Sequence, residues 1–153
     1  MDLWRISNHH SLDGEGGRRF PARWHSGGHP VVYLAASPPG ALIEVLVHLE
    51  LADTTLPPTY TLLRIAAPAR LRIPPLETPR GDAWKTQEAI TRMLGDAWLI
   101  SRSSALARIP SAILPHTFNY LLNPLHPMAA RFAITDSQRA VYDTRLLPRS
   151  NQA

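Results

Sequence analysis

The chain has 153 residues, 44% of them apolar and 18% charged, with sixteen Lys and Arg against twelve Asp and Glu for a net charge of +4. That length fits one compact domain with enough apolar material for a core, and the composition excludes an intrinsically disordered chain. No apolar run approaches the ~20 residues of a membrane span, and the lack of cysteine excludes disulfide scaffolds, thiolate nucleophiles and cysteine-based zinc sites.

The opening MDLWRISNHH lacks the apolar stretch of a secretion signal, so the expected location is the cytoplasm, away from any membrane. Residues 13–30, DGEGGRRFPARWHSGGHP, have the composition of a loop. Val31 to Ala35 is a short β-prone run bounded by turn signals, hence a strand. Ser37-Pro38-Pro39-Gly40 starts a helix, because serine caps the first turn and proline tolerates it. Its body, ALIEVLVHLEL, is apolar almost all the way round, the pattern of a helix packed inside a protein. Tyr60 to Ala66 reads as a second strand and Leu71 to Ile73 as a short extended piece. Lys85 to Leu94 has helical spacing, with Gly95 as its end signal. Ala107 to Leu114, Phe118 to Leu122 and Phe132 to Ile134 are short apolar segments, and the chain from Arg145 onward is expected to fray. Fifteen prolines argue against long helices. Short strands with about two helices indicate an α/β or α+β domain.

Three groups of residues need a chemical explanation. Glu44 lies among Leu42, Ile43, Val45, Leu46 and Val47, where a lone buried carboxylate costs several kcal/mol unless a charge or strong donors meet it. Either a structural arginine partner or a functional role accounts for it. Arg5, Arg18, Arg19 and Arg23 flank a glycine-rich stretch whose guanidinium forks suit phosphate oxygens, although no P-loop or dinucleotide fingerprint is present and a solvated surface loop has the same composition. In PSAILPHTFNYLLNPLHP, Ser111, Asn119 and Asn123 are polar among apolar neighbours. Residues of this kind often only tie turns.

Other signals are weaker. The seven histidines form no metal-binding spacing. Trp4, Trp24, Trp84 and Trp98 read as core or core-edge rings, with Trp24 also suited to a pocket wall. Lys85 is the only lysine, and the acid-poor C-terminal portion would suit an acidic partner, a nucleic acid or plain solvent. A nucleic-acid-binding or RNA-cleaving module using His25, His116 or His126 is the alternative that this charge balance suggests.

In order, WRISN, GGRRFPARWHSGGHPVVYLAAS, ALIEVLVHLE, TQEAITRMLGDAWLIS and IPSAILPHTFNYLLNPLHP resemble the RES-domain toxins of bacterial toxin–antitoxin pairs across nearly the whole chain. Two positions depart from the family pattern: Ala22 stands where glycine is usual, and His25 where asparagine is common. The resemblance implies an α+β single domain similar to the ADP-ribosyltransferase fold, with short, mostly antiparallel strands over residues 1–146 and a tail at 147–153. It also implies cleavage of the nicotinamide–ribose bond of NAD, by hydrolysis or with inorganic phosphate as co-substrate, or transfer of ADP-ribose to a protein. Carried over by motif, the catalytic residues would be Glu44, Arg23 and Ser111, and the substrate-binding residues Arg5 and Tyr33. NAD enters as substrate, with no cofactor and no metal. The implied partner is an Xre-like antitoxin that blocks the active site in a hetero-oligomer, with toxin copies paired inside it and DNA reached only through the antitoxin.

Overall fold

In chain order the elements are β1 (Asp2–Ile6), α1 (Glu15–Arg19), β2 (Val32–Ala35), α2 (Pro38–Leu51), β3 (Thr59–Ala66), α3 (Glu88–Ser101), β4 (Leu106–Pro110), β5 (Phe118–Leu122) and β6 (Ala133–Val141), with 3-10 turns between some of them. This is a computed structural model, and it describes residues 1–51 and 57–146, with the backbone alone for Glu50 and Leu51. The strands form a single antiparallel sheet in the order β4-β5-β2-β1-β3-β6, so the domain is α+β. The expected tail at 147–153 lies outside the described residues, while Thr144–Leu146 form a 3-10 turn.

Alternation along the strands sends successive side chains to opposite faces of the sheet, and each face builds its own core. Leu3, Val32, Leu34, Leu63, Ile65, Leu106 and Leu122 cluster on one face. Ala107, Ile109 and Leu121 meet Trp24, Trp84, Trp98 and Leu99 on the other. Each fully buried leucine there contributes about 1.5–3 kcal/mol of transfer free energy. The sheet is weakest at its middle. Five residue pairs join β1 to β3, but the single pair Trp4↔Ala35 joins β1 to β2.

Helix α2 begins where its capping residues require. Ser37 Oγ accepts the Gly40 N–H at 3.2 Å, and the Ser37 carbonyl accepts the Ala41 N–H at 3.1 Å. Its surroundings differ from expectation. Over Pro38–Leu49 only Ala41 is buried, none of the side chains described in that range joins either core, and the helix packs on β1 and β2. An apolar composition reports how much surface wants cover, not that the same chain provides it. Among the described residues no helix is long and apolar enough to cross a membrane.

Helix α3 starts three residues later than expected and runs through Gly95 to Ser101. Gly95 is not an end signal; it is a contact. A Cβ there would sit 1.7 Å from the Trp24 carbonyl oxygen, so only glycine lets the helix touch the 20–26 loop. The stretch from Leu71 to Ile73 is not a strand. Leu71 and Ile73 pack on the first core, and the following Pro74–Leu76 runs beside β4, where the Leu76 N–H meets the Arg108 carbonyl at 2.9 Å. The 13–30 segment is more ordered than a plain loop, with α1 and an Ala22↔His25 bridge inside it. Strands β1 and β6 are not apparent from local pattern, because Asp2, Arg5, Asp136 and Arg139 interrupt their apolar alternation.

Candidate active site

A cleft of about 550 Å³ opens beside the β1–β2 seam, beneath α2 and next to the N-terminal half of α3. Its walls include Arg5, Arg23, Tyr33, Glu44, Arg92 and Asn119. Four of the five residues expected from the family resemblance border it, and the fifth, Ser111, stands directly behind Glu44.

Glu44 is half-buried on α2 and meets two donors from the sheet. Asn119 Nδ2 on β5 donates to Oε1 at 2.6 Å, and Ser111 Oγ, just after β4, donates to the same oxygen at 3.2 Å. No arginine partners this carboxylate among the described ion pairs. The lone carboxylate of the sequence is therefore met by hydrogen-bond donors rather than by a counter-charge. Ser111 Oγ also accepts the N–H groups of Ile113 at 3.1 Å and Leu114 at 3.2 Å. A hydroxyl has one proton and two lone pairs, so Ser111 is fully engaged: it ties the turn and steadies Glu44.

Arg23 is placed by α3. Thr91 Oγ1 donates to the Arg23 carbonyl at 2.5 Å, Arg92 Nε to the Ala22 carbonyl at 2.8 Å, and the Asp96 carboxylate takes both the N–H and the hydroxyl of Ser26 at 2.8 and 2.6 Å. With Gly95 in contact with Trp24, one face of α3 anchors the whole loop. The Arg23 guanidinium spends one of its five donors on the Lys85 carbonyl at 2.5 Å, and among the described residues the other four meet no acceptor.

Tyr33 presents its ring rather than its hydroxyl. His25 Nε2 lies 2.8 Å from the Gly17 carbonyl and Nδ1 2.8 Å from the Tyr33 hydroxyl. A carbonyl only accepts, so in the neutral imidazole Nε2 carries the proton and Nδ1 accepts from tyrosine. The Trp24 N–H donates to the same phenol oxygen at 3.1 Å. Burial drives the Tyr33 phenol well above its usual range, which keeps it protonated. The histidine that departs from the family pattern is thus a buried clamp for Tyr33.

Arg5 follows a different course. On β1 it alternates with Trp4 and Ile6, on the side of the sheet that carries Leu3. Its Nη1 donates to the Ser11 carbonyl at 3.0 Å, and burial lowers its pKa against the opposing pull of Asp13. It borders the cleft, but no hydrogen bond links it to Glu44 or Arg23. Sequence reasoning misses Asn119 and Arg92 as site residues. In the sequence Asn119 looks like polar filler. Arg92 also forms an ion pair with Glu88 at 2.7 Å, and both line the cleft. Asn123 behaves as a turn tie, donating to the Leu99 carbonyl at 2.9 Å and accepting from the Leu125 N–H at 3.1 Å.

A carboxylate held from one side, a guanidinium with spare donors and an aromatic ring border one cleft, chemistry that suits an anionic, ring-bearing ligand. The RES domain family model matches residues 2–143. "Toxin Res" of Pseudomonas putida is 48% identical over 132 residues, covering 84% of this chain and 88% of that protein. The "Prs ADP-ribosylating toxin" of a Sphingobium species is 29% identical, covering 95% and 96%. The toxin–antitoxin complex MbcT–MbcA of M. tuberculosis contains a chain of the same fold, with a TM-score of 0.72 at 21% identity, covering 92% of this chain and 84% of that one. The chain belongs to the RES-domain family of toxins. RES toxins are enzymes that act on NAD.

Proposed function

We propose that this protein is the toxin of a toxin–antitoxin pair and that it cleaves the nicotinamide–ribose bond of NAD. The observation that carries this reading is the Glu44 carboxylate, fixed through one oxygen beside a cleft that also holds Arg23 and Tyr33. As the C1′–N bond breaks, its electron pair passes to the pyridinium nitrogen, nicotinamide leaves neutral, and positive charge develops on the ribose, as in glycoside cleavage. A carboxylate already in place stabilises that charge without reorganising. The free donors of Arg23 suit the pyrophosphate, and the Tyr33 ring offers a stacking face. Water then attacks C1′ and releases a proton to solvent, or an anionic oxygen of inorganic phosphate attacks with no proton to lose.

Purified protein incubated with NAD is expected to release nicotinamide, measured with and without phosphate to separate hydrolysis from phosphorolysis. Glu44→Gln keeps the size and loses the charge; it is expected to lower kcat by roughly 100-fold or more, the scale of losing one preorganised electrostatic contact, with little change in thermal stability. Wild-type protein that releases no nicotinamide under either condition overturns the reading. A second reading, transfer of ADP-ribose to a protein, draws support from the relative named for ADP-ribosylating Prs; radiolabel from NAD would then remain on a protein band. The partner we propose is an antitoxin that caps the cleft, in keeping with the toxin–antitoxin complex of the same fold. The RNA-cleaving alternative finds no acid–base pair: both His25 nitrogens are occupied, His116 is exposed on a turn, and His126 Nδ1 accepts the Met128 N–H at 3.1 Å.

A further inference from the structure

We propose that Asn119 is a positioning residue for Glu44: together with Ser111 it fixes Oε1 and leaves Oε2 as the oxygen that meets the reacting ribose. The inference rests on the NAD-cleaving reading and adds a residue that the family resemblance leaves without a role. Three observations carry it. First, both donors converge on the same carboxylate oxygen, at 2.6 and 3.2 Å, and Oε2 receives no hydrogen bond among the described residues. Second, a carboxylate oxygen facing the Asn119 Oδ1 would be repelled, so the amide must point its NH₂ toward Glu44. Third, Asn119 sits on β5 between its partners Ala35 on β2 and Ile109 on β4. The donor therefore rides on a strand paired along both edges, whereas α2 is only partly covered.

This geometry has a mechanical purpose. A glutamate has three side-chain torsions, and an unrestrained one spreads its charge over many positions. Pinning one oxygen from the sheet side converts the group into a directed one, with the free oxygen set by the pinned one. Such orientation acts on the transition state and shows in kcat rather than in substrate affinity.

Asn119→Asp is isosteric and replaces the donor by a second carboxylate beside Glu44, so it tests the donor and its charge together. Asn119→Ala removes the donor without adding charge, and a donor role requires both variants to lose kcat. Nicotinamide release is measured against NAD concentration and pH, beside growth arrest on induction and the thermal midpoint. The expected result is a kcat roughly 30-fold or more below wild type at about pH 8, with KM within about threefold. Activity should recover as pH falls, because the introduced carboxyl, once protonated, again offers a hydrogen to Oε1. Arg5, Arg23, Tyr33, His48 and the Glu88–Arg92 pair also border the cleft and are common to both proteins, so the ratio of variant to wild-type profiles isolates position 119. Asn119→Ala serves as the neutral comparison: its kcat is also expected to fall, but without recovery at low pH.

Unchanged kcat in Asn119→Asp, or a loss confined to KM, overturns the proposal. So does a parallel loss in both variants that tracks a lowered thermal midpoint. Growth arrest keeps the two inferences distinguishable. If wild type arrests growth without releasing nicotinamide, the NAD reading fails; weakened arrest in Asn119→Asp still supports the positioning role, and full arrest refutes it.

Discussion

Tyr33 shows how a single residue can be used in two halves. Its hydroxyl is committed to His25 and the Trp24 N–H, so the part offered to a ligand is the ring. Tyr33→Phe keeps the ring, and Tyr33→Ala removes it. NAD cleavage is accordingly expected to stay within about fivefold of wild type in the first and to fall far more in the second, as measured by nicotinamide release. The phenol also has a pH signature. Its folded pKa is raised by burial, so its contribution to stability is fully present below the ordinary tyrosine value of about 10 and is lost as pH rises above it. Urea midpoints taken between about pH 8 and 11, a range that brackets that value, should decline at the alkaline end. That decline should be shallower in Tyr33→Phe, with Tyr142, raised more modestly by its own burial, supplying part of what remains.

At the same scale, Glu44 is legible from its neighbours, because a carboxylate inside LIEVL demands an explanation wherever the chain goes. Asn119 is not. An asparagine between Phe118 and Tyr120 looks like any turn-tying amide, and its function lies in a contact across 75 positions of sequence. Tyr33 and His25 are legible separately but not as a pair, since a hydrogen bond eight residues apart depends on the path of the intervening loop. His25 shows how a departure from a family pattern can be read once coordinates exist: imidazole spans Gly17 and Tyr33 with its two nitrogens.

Local chemistry marks elements best where their own residues decide the boundary. Ser37, Pro38 and Gly40 announce α2 because capping is a short-range matter, and Phe118–Leu122 coincides with β5 because Pro115 and Asn123-Pro124 bracket an apolar run. Elements specified by distant partners escape a local reading. Strand β1 owes its pairing to β3, far along the chain, and the polar β6 lies along the same ribbon. Gly95 misleads because a glycine late in an apolar-periodic run looks the same whether it ends a helix or lets another chain segment approach. The difference is testable. Gly95→Ala places a methyl where the Trp24 carbonyl already is, so the helix and the loop must separate. Overpacking of this kind costs about 1–3 kcal/mol, or roughly 3–10 °C in thermal midpoint for a chain of this size. Because the same loop carries Arg23, the KM for NAD is expected to rise as well.

At the scale of the whole molecule, the two faces of the sheet divide the labour. The Leu3–Leu63–Leu106 face carries much of the core, while the face with Trp24 and Ile109 borders the cleft. Leu106→Ala on β4 is expected to lower stability by about 3 kcal/mol and the thermal midpoint by roughly 6–12 °C. The rate of nicotinamide release per folded molecule should remain that of wild type. The mixture of short strands with helices narrows the fold class to α/β or α+β, and only the family resemblance points to α+β. The strand order does not, because it depends on which distant segments meet.

The lone rung between Trp4 and Ala35 has a consequence for the cleft beside it. Elsewhere in the sheet, neighbouring strands are laced together along their lengths and resist being spread. At this rung two three-stranded panels meet like covers at a spine, bound on one face by a core that spans both, with Leu3, Leu63 and Ile65 of one panel against Val32, Leu34, Leu106 and Leu122 of the other. Helix α2 leans on both β1 and β2, so it straddles the same seam while it carries Glu44. The carboxylate is thus referenced to both panels at once, and its aim depends on how the two halves of the sheet are joined.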